Sequence, residues 1–344
     1  MLVLRLVLRY YELVAQRVRQ GGSRGFPACP VHPSLPARRP ALALGVGTCL
    51  LVTAAAVAGC GRVATGAAGA RVRAIGAENE YANVISQVGG RYVQVSAVMG
   101  NPDVDPHDFE ASARLASEVS QAQLVVQNGL GYDGFMNKLE AAASPPGQRV
   151  VVVADLVHPR PGTFNPHLWY SPATMPLVAG AVARELTRLQ PSHGAYFEER
   201  ARAFDASLAP WHKALAAFAK AYPGTPVAVT EPVADFMLAA ARARVLTPRP
   251  LQTAVMDGID PSPQDVAAQD SLLAHHRVKV LLYNVQVTDP VTAGFLATAR
   301  RAGVPVVGVY ETMPAPGYDY QSWMMAEVRA LSRAVAHGRS TVGF

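Results

Sequence analysis

The chain has 344 residues, half of them hydrophobic and only 16% charged, which is enough apolar material for one large core or two ordinary ones and argues against disorder. Its formal charge of +6 sits at the front: of 31 Lys and Arg and 25 Asp and Glu, the first sixty residues hold Arg5, Arg9, Arg17, Arg19, Arg24, Arg38 and Arg39 against Glu12 alone, leaving 24 basic and 24 acidic residues behind. A neutral domain has no net basic surface to offer a phosphate backbone, so nucleic acid is not expected as a partner.

From Ala41 to Gly59 the sequence is apolar and uncharged, follows Arg38-Arg39-Pro40 and ends in Val57-Ala58-Gly59-Cys60. This pattern reads as an export signal over residues 1–59. Val-Ala-Gly-Cys resembles a bacterial lipobox, which implies acylation of Cys60 as the mature N-terminus, a tether over residues 60–70 and a protein anchored to the outside of the cell membrane. The alternative is a transmembrane helix, because the apolar run nearly crosses ~30 Å of hydrocarbon; both readings place the following domain outside the cytoplasm. Residues 1–40 exceed an ordinary n-region, and a start at Val31 would leave a normal one. Arg38-Arg39 also fits twin-arginine export. With Cys29 and Cys49 in the removed segment, Cys60 is the only remaining thiol and no intramolecular disulfide can form.

From Arg71 onward, short β-branched runs alternate with longer helical stretches, as in parallel α/β layers. Val72 to Ala77, Tyr92 to Val98, Gln123 to Gln127 and Val150 to Ala154 are expected strands, with helices near Asn79 to Val88, Ala111 to Gln121 and Tyr132 to Ala143. A second set of strands is expected at Pro226 to Thr230, Leu251 to Val255, Val278 to Tyr283 and Pro305 to Val309. Between the sets, Tyr196, Phe197, Phe204, Leu208, Trp211, Leu215, Phe218 and Tyr222 recur at helical spacing, with Pro191 before them and Pro223-Gly224 after. They predict one long helix that holds two lobes apart, or a surface helix of a single domain. The expected fold is α/β with two lobes, 71–190 and 224–344, each a mainly parallel sheet flanked by helices, joined by a rigid helix over 191–223.

Two segments carry chemistry. Asn101-Pro102-Asp103-Val104-Asp105-Pro106-His107-Asp108-Phe109-Glu110 lies between an expected strand and helix, where α/β proteins collect ligand-binding residues. Asn165-Pro166-His167-Leu168-Trp169-Tyr170 repeats the device of a histidine directly after proline, whose fixed φ suits a side chain that must aim one ring nitrogen. Asp105 and Asn165 are candidates to hold the other nitrogen of each ring. His275-His276 close an expected helix and fit a cap on its negative end.

Asp-Pro-His-Asp-Phe-Glu, the later Val125-Val126-Gln127-Asn128-Gly129-Leu130-Gly131-Tyr132 and Asn-Pro-His-Leu-Trp resemble the solute-binding proteins of zinc- and manganese-type (cluster A-I) ABC importers, from about Ala74 to the end of the chain. The resemblance implies four ligands around one ion in the cleft between the lobes. His107 and His167 match the two histidines of the first lobe. Glu231, in Thr230-Glu231-Pro232, stands where the family has histidine or glutamate. Glu311, ahead of Tyr318, Tyr320 and Met324-Met325, stands where aspartate is more usual. Two imidazoles and two carboxylates favour Mn²⁺ over Zn²⁺ as cargo, although Zn²⁺ competes at most such sites. The implied partners are a separate permease and ATPase, with the binding subunit itself a monomer and not an enzyme. Alternatives are a secreted zinc-dependent hydrolase or a metal-binding adhesion lipoprotein. Against the hydrolase, the chain has no His-Glu-x-x-His, no Gly-x-Ser-x-Gly elbow and no Walker A loop.

Overall fold

The computed structural model describes residues 71–101, 109–110, 112–143, 145–159, 165–314 and 317–343. Cys60, Asp105, His107 and everything before Arg71 lie outside the described residues. The first sheet contains β1 (Val72–Glu78), β2 (Val93–Met99), β3 (Leu124–Gln127) and β4 (Arg149–Val152) in the order β2-β1-β3-β4. The second contains β5 (Pro226–Val229), β6 (Arg244–Val245), β7 (Leu281–Asn284) and β8 (Val306–Val309) in the order β6-β5-β7-β8. Every pairing is parallel, with registers such as Val72↔Val93, Val125↔Val150 and Leu282↔Val307. All residues of β3, β7 and β8 are buried, which is why these strands read as unbroken apolar runs rather than as alternating ones.

Helices cover both sheets. The first carries α1 (Asn79–Gly89), α2 (Ala113–Val119), α3 (Gly134–Ala143), α4 (Val153–Val157) and α5 (Thr174–Leu189). Gly76 lets α1 press onto β1, since a Cβ there would stand 2.3 Å from the Ala82 nitrogen. The chain then runs through α6 (Gly194–Ser207) and α7 (Ala209–Ala221) to α8 (Asp235–Ala240), α9 (Arg249–Met256), α10 (Pro263–Ala274), α11 (Pro290–Ala302) and α12 (Tyr320–His337).

The long connecting helix is present with one interruption. Leu208 keeps helical dihedrals (φ −80°, ψ −12°), but Pro210 has no N–H to give the Ala206 carbonyl, so the regular ladder lapses for one residue. Before the lapse, α6 packs on α5 and α1; after it, α7 packs on α12 and α8. Each half of the rod therefore serves one sheet, as the two-lobe reading expects and a single-domain surface helix does not.

Leu251 to Val255, expected as a strand, belongs to α9. Its buried residues Leu251, Gln252, Val255 and Met256 recur at helical spacing, and Pro250 occupies the first turn, where its missing N–H costs nothing. The edge strand beside β5 is instead the two-residue β6, too short to show a period. The fourth expected strand ends early, because Val153 and Ala154 begin α4. At the end of α10, the ring Nδ1 of His275 stands 3.0 Å from the Ser271 carbonyl, as a C-terminal cap requires.

One apolar cluster runs through both sheets. It joins Val72, Val126 and Trp169 on one side to Trp211, Val229, Trp323 and Leu331 on the other, and smaller clusters lie on the outer face of each sheet. Both sheets belong to one compact unit. Unfolding one lobe while the other persists would expose this shared cluster, so calorimetry should show a single unfolding transition. Leu331→Ala, at a fully buried position, should cost about 2–5 kcal/mol and shift that transition without splitting it; two separable transitions would contradict a common core.

Candidate metal site

The strand C-termini of the two sheets face a common region, and the polar groups there are buried. His167 is fully buried. Its backbone N–H donates to Asn165 Oδ1 at 3.0 Å, and its ring Nδ1 lies 2.8 Å from the same oxygen. An amide oxygen only accepts, so this network places a ring proton on Nδ1 and turns Nε2 toward Glu311. Nε2 makes no hydrogen bond and stands 3.4 Å from Glu311 Oε2. The other arm of Asn165 donates to the Pro232 carbonyl at 2.8 Å, crossing to the loop after β5. A 3-10 turn, Leu168–Tyr170, continues from His167, and Trp169 and Tyr132 set ring edges against the imidazole at centroid distances of 5.3 and 5.8 Å.

Glu231 follows β5 and Glu311 follows β8; they are 2% and 0% exposed. Asn284, the last residue of β7, sits between them, and its Nδ2 donates to Oε1 of each glutamate at 2.6 Å. Tyr132 donates to Glu311 Oε2 at 2.9 Å. Gln286 fixes the backbone below: its Oε1 accepts the N–H groups of Glu311 (2.6 Å) and Thr312 (3.0 Å). Asn79, at the start of α1, does the same from the first sheet, giving Nδ2 to the Met313 carbonyl and taking the Met313 N–H, both at 2.8 Å.

His167 and Glu311 are thus brought together, Glu231 is joined to Glu311 through Asn284, and Asn165 holds His167. Among the described residues, no group of three or more His, Cys, Asp or Glu side chains stands close enough to hold an ion. Asn284, Gln286 and Asn79 were not singled out in the sequence. The signal for Asn284 was its place, a polar residue ending an apolar strand where Glu231 and Glu311 also emerge.

The region is rich in buried acid. Burial raises Glu78 well above the ordinary carboxylate range, and repulsion from Asp133 and Glu80 adds to it. Burial does the same to Glu80, where Glu311 contributes. Among the described residues, the oxygens of Glu78 and Glu80 find no side-chain partner, and only backbone N–H groups, those of Glu78, Glu80 and Met313, act against the rise. Asp133 is also raised by burial, against the N–H groups of Gly129 and Asn128 that hold it. Asp235 is raised by burial to about 6, with His167 and Arg249 acting in the opposite sense. Such mutual repulsion in a poorly solvated place favours protons or cations. Beside it lies a cavity of about 610 Å³, open to solvent and lined from both sheets by Leu130, Tyr132, Phe135, Pro166, Thr253 and Met256.

Two parallel α/β lobes that meet across buried imidazole and carboxylate groups have the bilobal fold seen in solute-binding proteins. The family model for ZnuA, zinc-uptake complex component A, periplasmic, matches residues 77–334, and the chain belongs to this family. It is similar to the manganese-binding lipoprotein MntA of Bacillus subtilis (strain 168), 25% identical over 171 residues that cover 48% of this chain and 56% of that protein. It is also similar to the zinc-binding protein TroA of Treponema pallidum (strain Nichols), 27% identical over 134 residues, 37% and 42% of the two chains. The matched segments therefore span about half the length of these curated relatives. Among solved structures, the SBP FpvC of Pseudomonas aeruginosa in complex with Mn²⁺ superposes with a TM-score of 0.65 at 22% identity, over 77% of this chain and 98% of that one. The Mn-bound periplasmic metal binding protein of Candidatus Liberibacter asiaticus gives 0.65 at 15% identity, over 77% and 100%. At those identities the superpositions establish the fold. Among the described residues, no helix is long and apolar enough to cross a membrane.

If Asn284 is the neutral donor that keeps two buried carboxylates apart, Asn284→Asp adds a third. In chelator this variant should lose about 3 kcal/mol of stability to urea, and a divalent ion should restore part of it. Unchanged stability in chelator would contradict that role.

Proposed function

We propose that this chain is the extracytoplasmic solute-binding subunit of an ABC importer, and that its cargo is one divalent transition metal ion, Mn²⁺ or Zn²⁺, held by His107, His167, Glu231 and Glu311. The observation that carries the reading is the buried pair His167 Nε2 and Glu311 Oε2, a nitrogen and a carboxylate oxygen 3.4 Å apart and contributed by different lobes. Two ligands each about 2.1 Å from one ion stand about 3.4 Å apart at the tetrahedral angle and about 3.0 Å at a right angle. Lone pairs that close repel unless a cation or a proton is placed between them. With Asn284 on Oε1 of both glutamates, Oε2 of Glu311 is the atom turned toward His167. Carboxylate oxygens beside imidazole suit Mn²⁺ better than a softer set would.

In this reading the lobes are 71–190 and 224–344, the helical connection over 191–223 limits their movement to a modest tilt, and Asn165 and Asp105 orient the two imidazoles. Cys60 carries the lipid that keeps the subunit at the membrane. The permease and ATPase are separate chains, the subunit works as a monomer, and no step of catalysis is assigned to it. The support for delivery to a permease is membership of the family and the kinship with MntA and TroA.

Elemental analysis and competition calorimetry with Mn²⁺ and Zn²⁺ on the purified chain test the proposal directly. One ion per chain is expected, and His167→Ala or Glu311→Ala should weaken its binding at least ~100-fold. Ligand histidines must give up their protons, so affinity should be lower at about pH 5 than at about pH 7.5. A wild-type chain that binds neither ion, or binds equally well at both pH values, refutes the assignment.

A further inference from the structure

Glu327 lies in the middle of α12, fully buried. Its Oε1 receives the indole N–H of Trp323 at 3.1 Å and lies 3.0 Å from the Tyr170 hydroxyl, while its Oε2 is buried with no partner. Tyr170 belongs to the other lobe. It closes the 3-10 turn that begins after His167, with its backbone N–H on the His167 carbonyl at 3.2 Å. Its hydroxyl also lies 2.9 Å from the Tyr310 carbonyl and accepts the Tyr310 N–H at 3.3 Å. One hydroxyl therefore joins three things: the turn that carries His167, the residue that precedes Glu311, and a carboxyl group that nothing else in the site uses.

A tyrosine hydroxyl has one proton and can donate to one acceptor at a time. Two acceptors compete here. When Glu327 is neutral, its own proton can go to the Tyr170 oxygen, and Tyr170 is left to donate to the Tyr310 carbonyl, a chain of bonds that strengthen one another. When Glu327 is ionised, the carboxylate takes the Tyr170 proton as the stronger acceptor, and the bond to Tyr310 is given up. We propose that Glu327 is a positioning residue for the candidate metal site: held neutral in the core, it directs the Tyr170 hydroxyl onto Tyr310 and so fixes Glu311 opposite His167.

The inference rests on the metal-binding reading above and deepens it. Burial pushes the Glu327 carboxyl up to about 8, against the lowering effect of its bonds from Tyr170 and Trp323. No charged group acts on it directly. Of the elements packed on α12, α1 brings Glu80, whose charge acts on Tyr170 and Tyr320 rather than on Glu327; β8 has no titratable residue; and α7 presents Trp211, with His212 against it. Tyr320 and Trp323 are its neighbours on α12 itself. The sign follows: the tie is intact below about pH 8 and lost above it.

Two measurements on the full chain test this. In ¹⁵N spectra of the ion-free protein, the Trp323 indole N–H should titrate between about pH 7 and about pH 9, and Glu327→Gln should abolish that titration. In anaerobic calorimetry with Mn²⁺ as the probe, wild-type affinity should fall about 3- to 10-fold over the same range, the worth of one net hydrogen bond. Glu327→Gln, neutral at every pH, should show no such fall. Tyr170→Phe should bind about 3- to 10-fold more weakly already at neutral pH and also lose the pH dependence. Wild type and Glu327→Gln losing affinity in parallel, or an indole signal that does not move, overturns the role of Glu327. A wild-type chain that binds neither Mn²⁺ nor Zn²⁺ while its indole still titrates overturns the metal-binding reading instead and leaves the proton on Glu327 established.

Discussion

The geometry of the site depends on the carboxamide of Asn165. Its oxygen takes both the backbone and the ring N–H of His167, and its nitrogen reaches the Pro232 carbonyl in the other lobe. The first pair of bonds decides which imidazole nitrogen is turned toward Glu311, and the third fixes the loop of the second lobe that the ring faces. A histidine without this support would sample two tautomers and several ring orientations. Here the tautomer, the ring plane and the approach of the second lobe are set by one side chain, two residues away in sequence.

The carboxylates are supported in the same manner, by neutral amides rather than by cations. Asn284 stands between Glu231 and Glu311, Gln286 holds the backbone of Glu311 and Thr312, and Asn79 pairs with Met313 as another peptide would. Amides satisfy lone pairs without neutralising charge. The amides therefore bring no compensating positive charge to the site, and burial with mutual repulsion pushes the carboxyls of Glu78, Glu80 and Asp133 behind it toward their neutral forms. An arginine in place of Asn284 would make a more stable resting protein and a poorer trap for a cation.

Much of this was legible in the sequence, for physical reasons that also mark where legibility ends. Fully buried parallel strands appear as bare apolar runs, so β3 and β8 could be read directly. The run at Leu251 looked the same but lies on one face of α9, because a short apolar run has no period of its own and only Pro250 distinguished it. Pro210 was hidden within an otherwise regular helical pattern. His167 was visible because proline precedes it and a turn follows. Asn284 was not, since its partners lie 53 and 27 residues away and an asparagine at a strand end is ordinary. Glu327 shares the helical stripe of Tyr320, Trp323 and Leu331, so its burial follows from the spacing, but its contact with the Tyr170 turn does not.

The bonds that cross between the lobes have a cooperative consequence. Tyr320 donates to the Trp169 carbonyl, Asn83 accepts the Tyr320 N–H, and Gln87 pairs with Gln321, in addition to the bonds from Asn79, Asn165 and Tyr170. These contacts share rigid elements, so they are lost together or not at all. Separating the two lobes therefore means breaking several hydrogen bonds in one step, which costs far more than the loss of any single bond.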